Sequence, residues 1–247
     1  MNLIIRGHIR SSLSNDGLRM LVEEMHKKKP VNIFIHTWEN QQSSVSWRTM
    51  RDDPTPVSED LVRSYFGRMS DSIKTVVVDS EEDVVIGGRN EGVVASSWAP
   101  ILGYKRMFYG MMRGAELVAE KAEPDEMSLQ MRFDALSNWA SFKKNQILDF
   151  LDQRPEEWER IRFMIRPASS GRELELRFDR WTKWGPEYEP HWTTGVDNIY
   201  MASVKDMRDF LRHMYLNLDS VNDKYRSFIH QEWITMFEAF DPVWMKP

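Results

Sequence analysis

A chain of 247 residues can form one large domain or two small ones, and its 41% hydrophobic and 29% charged residues are the proportions of a chain that buries a sizeable core. The formal charge of −5 is mild, and with acids and bases interspersed there is no Lys/Arg stripe of the kind that binds nucleic acid. Cysteine is absent, which excludes disulfides, a thiolate nucleophile and Cys-ligated metal centres, and fits a reducing cytoplasm.

Leu3-Ile4-Ile5 predicts a first strand that ends at Arg6-Gly7-His8. The chain begins on this strand and not on a basic, then apolar, signal region, and no stretch approaches the ~18 apolar residues of a membrane span. Asn15-Asp16 can cap a helix over residues 17–28, whose carboxyl end carries His26, Lys27, Lys28 and Lys29, where cations are favoured. Pro30 closes it. Residues 31–36 read as a second strand, with Ile33, Phe34 and Ile35 buried on both faces. Strand, helix and strand in such quick succession are the unit of a parallel sheet.

Residues 41–56 are polar and contain Pro54 and Pro56, which predicts a loop. A short helix is expected over 59–69 and a third strand over 74–79. Residues 82–100, with Gly87, Gly88 and Gly92 and no clear period, read as a long loop of the functional or mobile kind. The most regular helix is 104–121, where Met107, Met111, Ala115, Val118 and Ala119 recur at helical spacing beside Phe108 and Met112. An extended segment at 127–131 and a helix at 136–151 follow. Residues 161–165 and 174–178 alternate like two strands of a hairpin turning through Ser169-Ser170-Gly171. After an aromatic loop at 181–196 come a brief strand at 198–201, a helix at 204–216 and a last helix within 225–240. No linker or repeat divides the chain, so the expectation is a single domain over residues 1–247, a Rossmann-like mixed sheet flanked by helices.

There is no Gly-rich phosphate loop with Lys-Ser/Thr, no dinucleotide fingerprint, no zinc-protease His-Glu pair and no Gly-x-Ser-x-Gly elbow. What remains is a set of polar residues at strand ends, where the ligand crevice of an open α/β sheet lies. Arg6, Gly7, His8 and Arg10 follow the first strand. Gly7 lets a backbone approach a ligand, and the arginines can meet phosphates or a uracil-type base. His36, Thr37 and Trp38 follow the second strand, Asp79 ends the third, and Arg132 and Asp134 follow the fourth. The plainer reading of Arg6, Arg10 and Asp79 is as solvated loop residues. An Asp just beyond a buried strand can hold a divalent cation that neutralises a diphosphate, and Arg132 can contact the same phosphates. A surface Arg–Asp pair of little worth is the alternative. Asp197, in Gly195-Val196-Asp197-Asn198, can act as a general base. His230 and Glu232 open the last helix, where capping alone also explains a carboxylate. Ten Trp and sixteen Met are core filling in the main, with a few Trp able to line a sugar- or base-stacking cleft.

Taken in order, these motifs carry a resemblance. Gly7-His8-Ile9-Arg10 ends the first strand, Asn32-Ile33-Phe34-Ile35-His36-Thr37-Trp38 forms the second, and an aromatic-led helix precedes Arg132-Phe133-Asp134. Asp197 stands in a Gly- and aromatic-rich context, and His230-Gln231-Glu232 precedes a terminal helix. The chain resembles a group of small bacterial and viral GT-A-like glycosyltransferases that act on polysaccharides or glycans. The resemblance implies a GT-A-like fold and transfer of a sugar from a nucleotide-diphosphate sugar to a glycan or glycoconjugate acceptor. Residues 1–135 would then form a nucleotide-binding part and 136–247 an acceptor-side part. It implies Mn2+ or Mg2+ on Asp134, with Arg6, Gly7, His8, Arg10, His36, Thr37, Asp79 and Arg132 on the donor side. Asp197 or Glu232 would face the acceptor, one of them as base if configuration inverts. The implied setting is polysaccharide biosynthesis in the cytoplasm, or peripherally at a membrane if the acceptor is lipid-linked. Two departures stand out. Phe133 replaces a Pro, and Arg132 replaces the first carboxylate of an Asp-x-Asp pair, and an arginine can neutralise phosphate without a metal. The alternatives are a catalytically silent nucleotide-sugar or glycan-binding protein, a nucleotidyltransferase, or a scaffold that uses the apolar face of the 104–121 helix.

Overall fold

The computed structural model describes residues 1–45, 51–94, 99–137, 141–153, 160–164, 198–225 and 231–239, the last of these ranges by backbone alone at 231–233. In chain order the elements are β1 (Asn2–Arg6), α1 (Gly17–Lys28), β2 (Asn32–Trp38), β3 (Asn40–Gln42), β4 (Asp53–Pro56), α2 (Glu59–Phe66), β5 (Ile73–Asp79) and α3 (Ile101–Ala119). They continue with β6 (Met127–Arg132), α4 (Lys144–Phe150), β7 (Ile161–Phe163), β8 (Ile199–Ser203), α5 (Val204–Lys224) and α6 (Gln231–Ala239).

Six strands form one mixed sheet in the order β5-β2-β1-β6-β8-β7. The pairs β2–β5, β1–β2 and β1–β6 are parallel, while β8 runs against both β6 and β7. The architecture is α/β and compatible with a Rossmann-like arrangement. Successive strands run outward from β1 to β2 and β5, and then the chain crosses back to place β6 on the other side of β1. The strand order therefore reverses between β1 and β6, the position at which open sheets take ligands.

The alternation of side chains along each strand decides which helices cover which face. Ile4 and Phe34 point into a core with Phe108, Met111 and Ala115 of α3, Phe210, Leu211 and Met214 of α5, and Ile234 of α6. Leu3, Ile5, Ile33 and Ile35 point the other way, against Leu21, Val22 and Met25 of α1, Val62 and Phe66 of α2, and Ile147 of α4. Both faces of β1 and β2 are thus dry, which is why these strands read as continuous apolar runs. Two glycines let α3 lie close to the sheet. A Cβ at Gly114 would stand 2.5 Å from Ile4 Cγ2, and one at Gly110 would stand 2.9 Å from His36 Nδ1.

Several expectations need correction. Residues 41–56 are not simply loop: β3 and β4 form a small antiparallel pair, with Pro54 and Pro56 tolerated because this two-stranded ribbon is all edge. Among the described residues of the helix expected over 136–151, Lys144–Phe150 is helical, because the chain first turns back after β6, with Ala135 N–H donating to Arg132 O and Ser137 N–H to Asp134 O. The strand at 161 pairs with β8, and the expected partner at 174–178 lies outside the described residues. Helix α5 runs well past Leu216, to Lys224, because Leu218 and Val221 continue its buried stripe. The loop after β5 is held in place by Lys105, a 4% exposed lysine of α3 whose ammonium donates to Gly87 O at 2.7 Å and pairs with Asp219 of α5 at 2.9 Å. Among the described residues no helix is long and apolar enough to cross a membrane.

Candidate functional site

The carboxyl ends of β1 and β6 lie side by side, with Arg6 and Arg132 in register. Beyond β1 the backbone makes a turn that glycine permits: Gly7 has φ 92°, and a Cβ built there meets none of the described residues within 4 Å. Among the described residues nothing crowds this position, so the glycine requirement comes from backbone conformation. The turn is fixed by Gly7 N–H donating to His36 O and by the Thr37 hydroxyl donating to Gly7 O, each at 3.1 Å. It ends at Arg10, itself at φ 53°, whose N–H donates to Gln41 O at 2.9 Å.

These turns deliver Arg10 to Asp134. Arg10 donates from one guanidinium nitrogen to Asp134 Oδ2 at 2.5 Å, while Arg132 reaches Oδ1 from Nε at 2.7 Å and Oδ2 from a terminal nitrogen at 2.8 Å. The carboxylate side chain is only 7% exposed, against 22% for Arg10 and 19% for Arg132. This is a buried acid gripped by two bases, not the solvent-screened pair that would be worth little. Removing the acid leaves two guanidiniums facing each other, which is the costly way to break such a group. Arg6, 3% exposed, completes a set of three arginines at these two strand ends.

A second cluster sits at the ends of β2 and β5. His36 is fully buried, and its Nε2–H faces Asp79 Oδ2 at 3.1 Å. The same oxygen accepts the Tyr109 hydroxyl at 2.8 Å. Burial pushes the His36 imidazole below its ordinary 6.5, and the Asp79 bond only partly opposes this. The ring is therefore neutral, and its bond to Asp79 puts the proton on Nε2. The His36 bond in turn draws the Asp79 carboxyl below its usual range, and burial pushes the Tyr109 phenol up. Trp38, 2% exposed, packs edge-on to His36 and stacks with His8. His8 Nε2 lies 3.0 Å from Glu81, in contact but not aligned as a hydrogen bond, and Arg106 pairs with the other Glu81 oxygen at 2.7 Å. Burial disfavours the charged Glu81, yet His8 and Arg106 together outweigh it and hold the carboxyl below its ordinary value.

Of the residues expected at the site, the structure brings Arg10, Arg132 and Asp134 into direct contact and sets Arg6 and Gly7 beside them. His8 and Asp79 belong to the second cluster. His36 and Thr37 are buried at 0% exposure and brace the strand ends from behind. Glu232 falls in the first turn of α6 with its side chain outside the described residues, and Asp197 and His230 lie outside them altogether. Helix α6 is moored by Glu238, whose carboxylate takes His213 at 2.7 Å, Lys224 at 2.7 Å and the Tyr225 hydroxyl at 2.9 Å. Burial opposes charge on Glu238, but these three partners win and hold its carboxyl at about 2. Lys105, Arg106, Tyr109, Glu81, Asp219 and Glu238 were not singled out from sequence. Lys105 did carry a signal, since a lysine three residues before Phe108 and seven before Met112 falls on the apolar face of its helix.

Among the described residues no three His, Asp or Glu gather into a group that could hold a metal ion. Asp134, the position expected to take Mn2+ or Mg2+, has both oxygens engaged by arginine. Compared with protein-family models, curated proteins and solved structures, the chain matches none.

Proposed function

We propose that the chain is a glycosyltransferase that moves a sugar from a nucleotide-diphosphate donor to a glycan or glycoconjugate acceptor. One observation carries the reading: Arg10 and Arg132 converge on a buried carboxylate where the strand order reverses between β1 and β6. Guanidinium forks fixed in place suit the paired oxygens of a diphosphate. None of the described residues crowds Gly7, which favours a ligand lying close to the backbone there, and a Rossmann-like mixed sheet is compatible with a GT-A-like domain. In this reaction the bond from the sugar C1 to the diphosphate oxygen breaks, and its electron pair leaves with the diphosphate. The acceptor hydroxyl oxygen bonds to C1, and if configuration inverts its proton passes to a carboxylate, for which Asp197 and Glu232 are the candidates. Arginines at the departing oxygens act where charge develops. A cysteine-free chain fits work in the cytoplasm, at a membrane edge if the acceptor is lipid-linked.

The test is a thermal-shift panel with UDP, GDP, CDP and dTDP and their sugars. A ligand that binds only the folded chain stabilises it by about 2.7 kcal/mol at a hundred times its Kd. For a chain of this size that is a rise in Tm of about 5–10 °C. Saturable stabilisation by one base series supports the reading and names the donor class. Indifference to all of them at millimolar concentration removes it.

A further inference from the structure

We propose that the donor diphosphate is held by arginine without a divalent cation, and that Asp134 is a positioning residue for Arg10 and Arg132 and not a metal ligand. The inference rests on the transferase reading of the same site. Oδ1 of Asp134 faces Arg132 Nε at 2.7 Å, and Oδ2 faces both Arg132 at 2.8 Å and Arg10 at 2.5 Å. A Mg2+ on this carboxylate would have to stand about 2.0–2.1 Å from an oxygen, along directions that guanidinium N–H groups occupy, and would be repelled by two positive charges. The residue two before Asp134, where a second metal carboxylate would help, is Arg132 itself. No metal-holding group of His, Asp or Glu exists among the described residues.

The same geometry suits an anion. A guanidinium carries five donors in a fixed plane, so contact with Asp134 and contact with a phosphate oxygen are compatible on one side chain. Asp134 fixes both planes before the ligand arrives, and ordering of two long side chains is then not a cost of binding. None of the described residues comes within 4 Å of a side-chain position at Gly7, beside these arginines.

Titration of the full chain with UDP, GDP, CDP and dTDP by calorimetry, first in EDTA and then in Mn2+, tests this directly. A parallel titration follows Mn2+ alone by electron paramagnetic resonance. The expected result is one base series that binds in EDTA with a Kd within about threefold of that in Mn2+. Arg10→Gln and Arg132→Gln should each weaken it by at least about tenfold, since a hydrogen bond to a charged group is lost. Asp134→Asn should weaken it by the same factor in EDTA and in Mn2+. Because loss of a buried acid can unfold the chain, the ligand-free Tm of every variant is recorded, and Arg10→Gln, the most exposed of the three changes, carries the conclusion if Asp134→Asn fails to fold. Binding that needs Mn2+ and vanishes in EDTA, with the bound Mn2+ signal abolished by Asp134→Asn, overturns the inference and leaves the transferase reading standing. Failure of every diphosphate to bind in either buffer removes both.

Discussion

The buried His36 makes the stability of the fold depend on pH in a defined window. In the unfolded chain this imidazole titrates near its ordinary 6.5, whereas burial lowers its value in the folded protein. Below 6.5 the unfolded state therefore takes up a proton that the native state refuses. Stability is fully present above 6.5 and falls as the pH drops, with a limiting slope of about 1.4 kcal/mol per pH unit for one proton. Asp79 acts at more acid pH: its carboxyl is depressed from the ordinary 3.8, so its contribution is present above that value and is lost as pH falls through the folded one. The first window opens at 6.5 and the second at 3.8. Urea unfolding of the wild type and of His36→Gln at steps from about pH 8 to pH 5 isolates the first, because Gln removes the titrating group while retaining a donor toward Asp79. The wild type should lose stability more steeply than the variant below 6.5, by up to one proton's slope. Parallel curves over that range would mean that the imidazole is not held neutral, and the account of the β2–β5 strand ends would fail.

Three further perturbations probe the frame around the site. Gly114→Ala gains about 1 kcal/mol of helix propensity but drives a methyl to 2.5 Å from Ile4, and overpacking of about 1–3 kcal/mol wins. Tm should fall by a few degrees in calorimetry, and a rise would show that α3 has room to move off β1. Lys105→Met removes the donor to Gly87 O and the partner of Asp219, at a cost of about 1–3 kcal/mol. Tryptic cleavage after Arg89 in the native state should accelerate, and an unchanged rate would mean that this lysine does not hold the loop. Glu238→Gln gives up a carboxylate whose value of about 2 lies well below 4.5, worth roughly 3 kcal/mol at neutral pH. That contribution is present above 4.5 and lost as the pH falls through about 2, so variant and wild type should differ in urea at pH 7 and approach each other only toward pH 2. A constant difference would put the stabilisation elsewhere.

Much of the frame was legible because both faces of β1 and β2 are buried, so Leu3-Ile4-Ile5 and Ile33-Phe34-Ile35 announce themselves as apolar runs. Helix α1 was legible from Asp16 at its start and its basic last turn, and α3 from its wide Met and aromatic stripe. Arg10, Arg132 and Asp134 could be placed at strand ends by the rule that ligands gather there, but their mutual contact could not. It depends on a left-handed turn at Arg10 and a tight turn after β6, and neither leaves a compositional mark beyond Gly7. Register was out of reach as well: a strand at 161 with alternating residues says nothing about whether β8 or a neighbour in sequence will pair with it. The ion pairs of Lys105 and Glu238 span 114 and up to 25 residues, and only the packing of α3, α5 and α6 brings them together.

The most direct test of the central claim asks where a nucleotide diphosphate sits. Amide hydrogen exchange is measured on the full chain with and without the diphosphate that stabilises it. Slowed exchange at residues 6–10 and 132–137 is the predicted result, since a ligand gripped by Arg10 and Arg132 must tighten both turns. Protection confined to other segments, with these two turns exchanging as in the free chain, would contradict the placement of the site at the ends of β1 and β6.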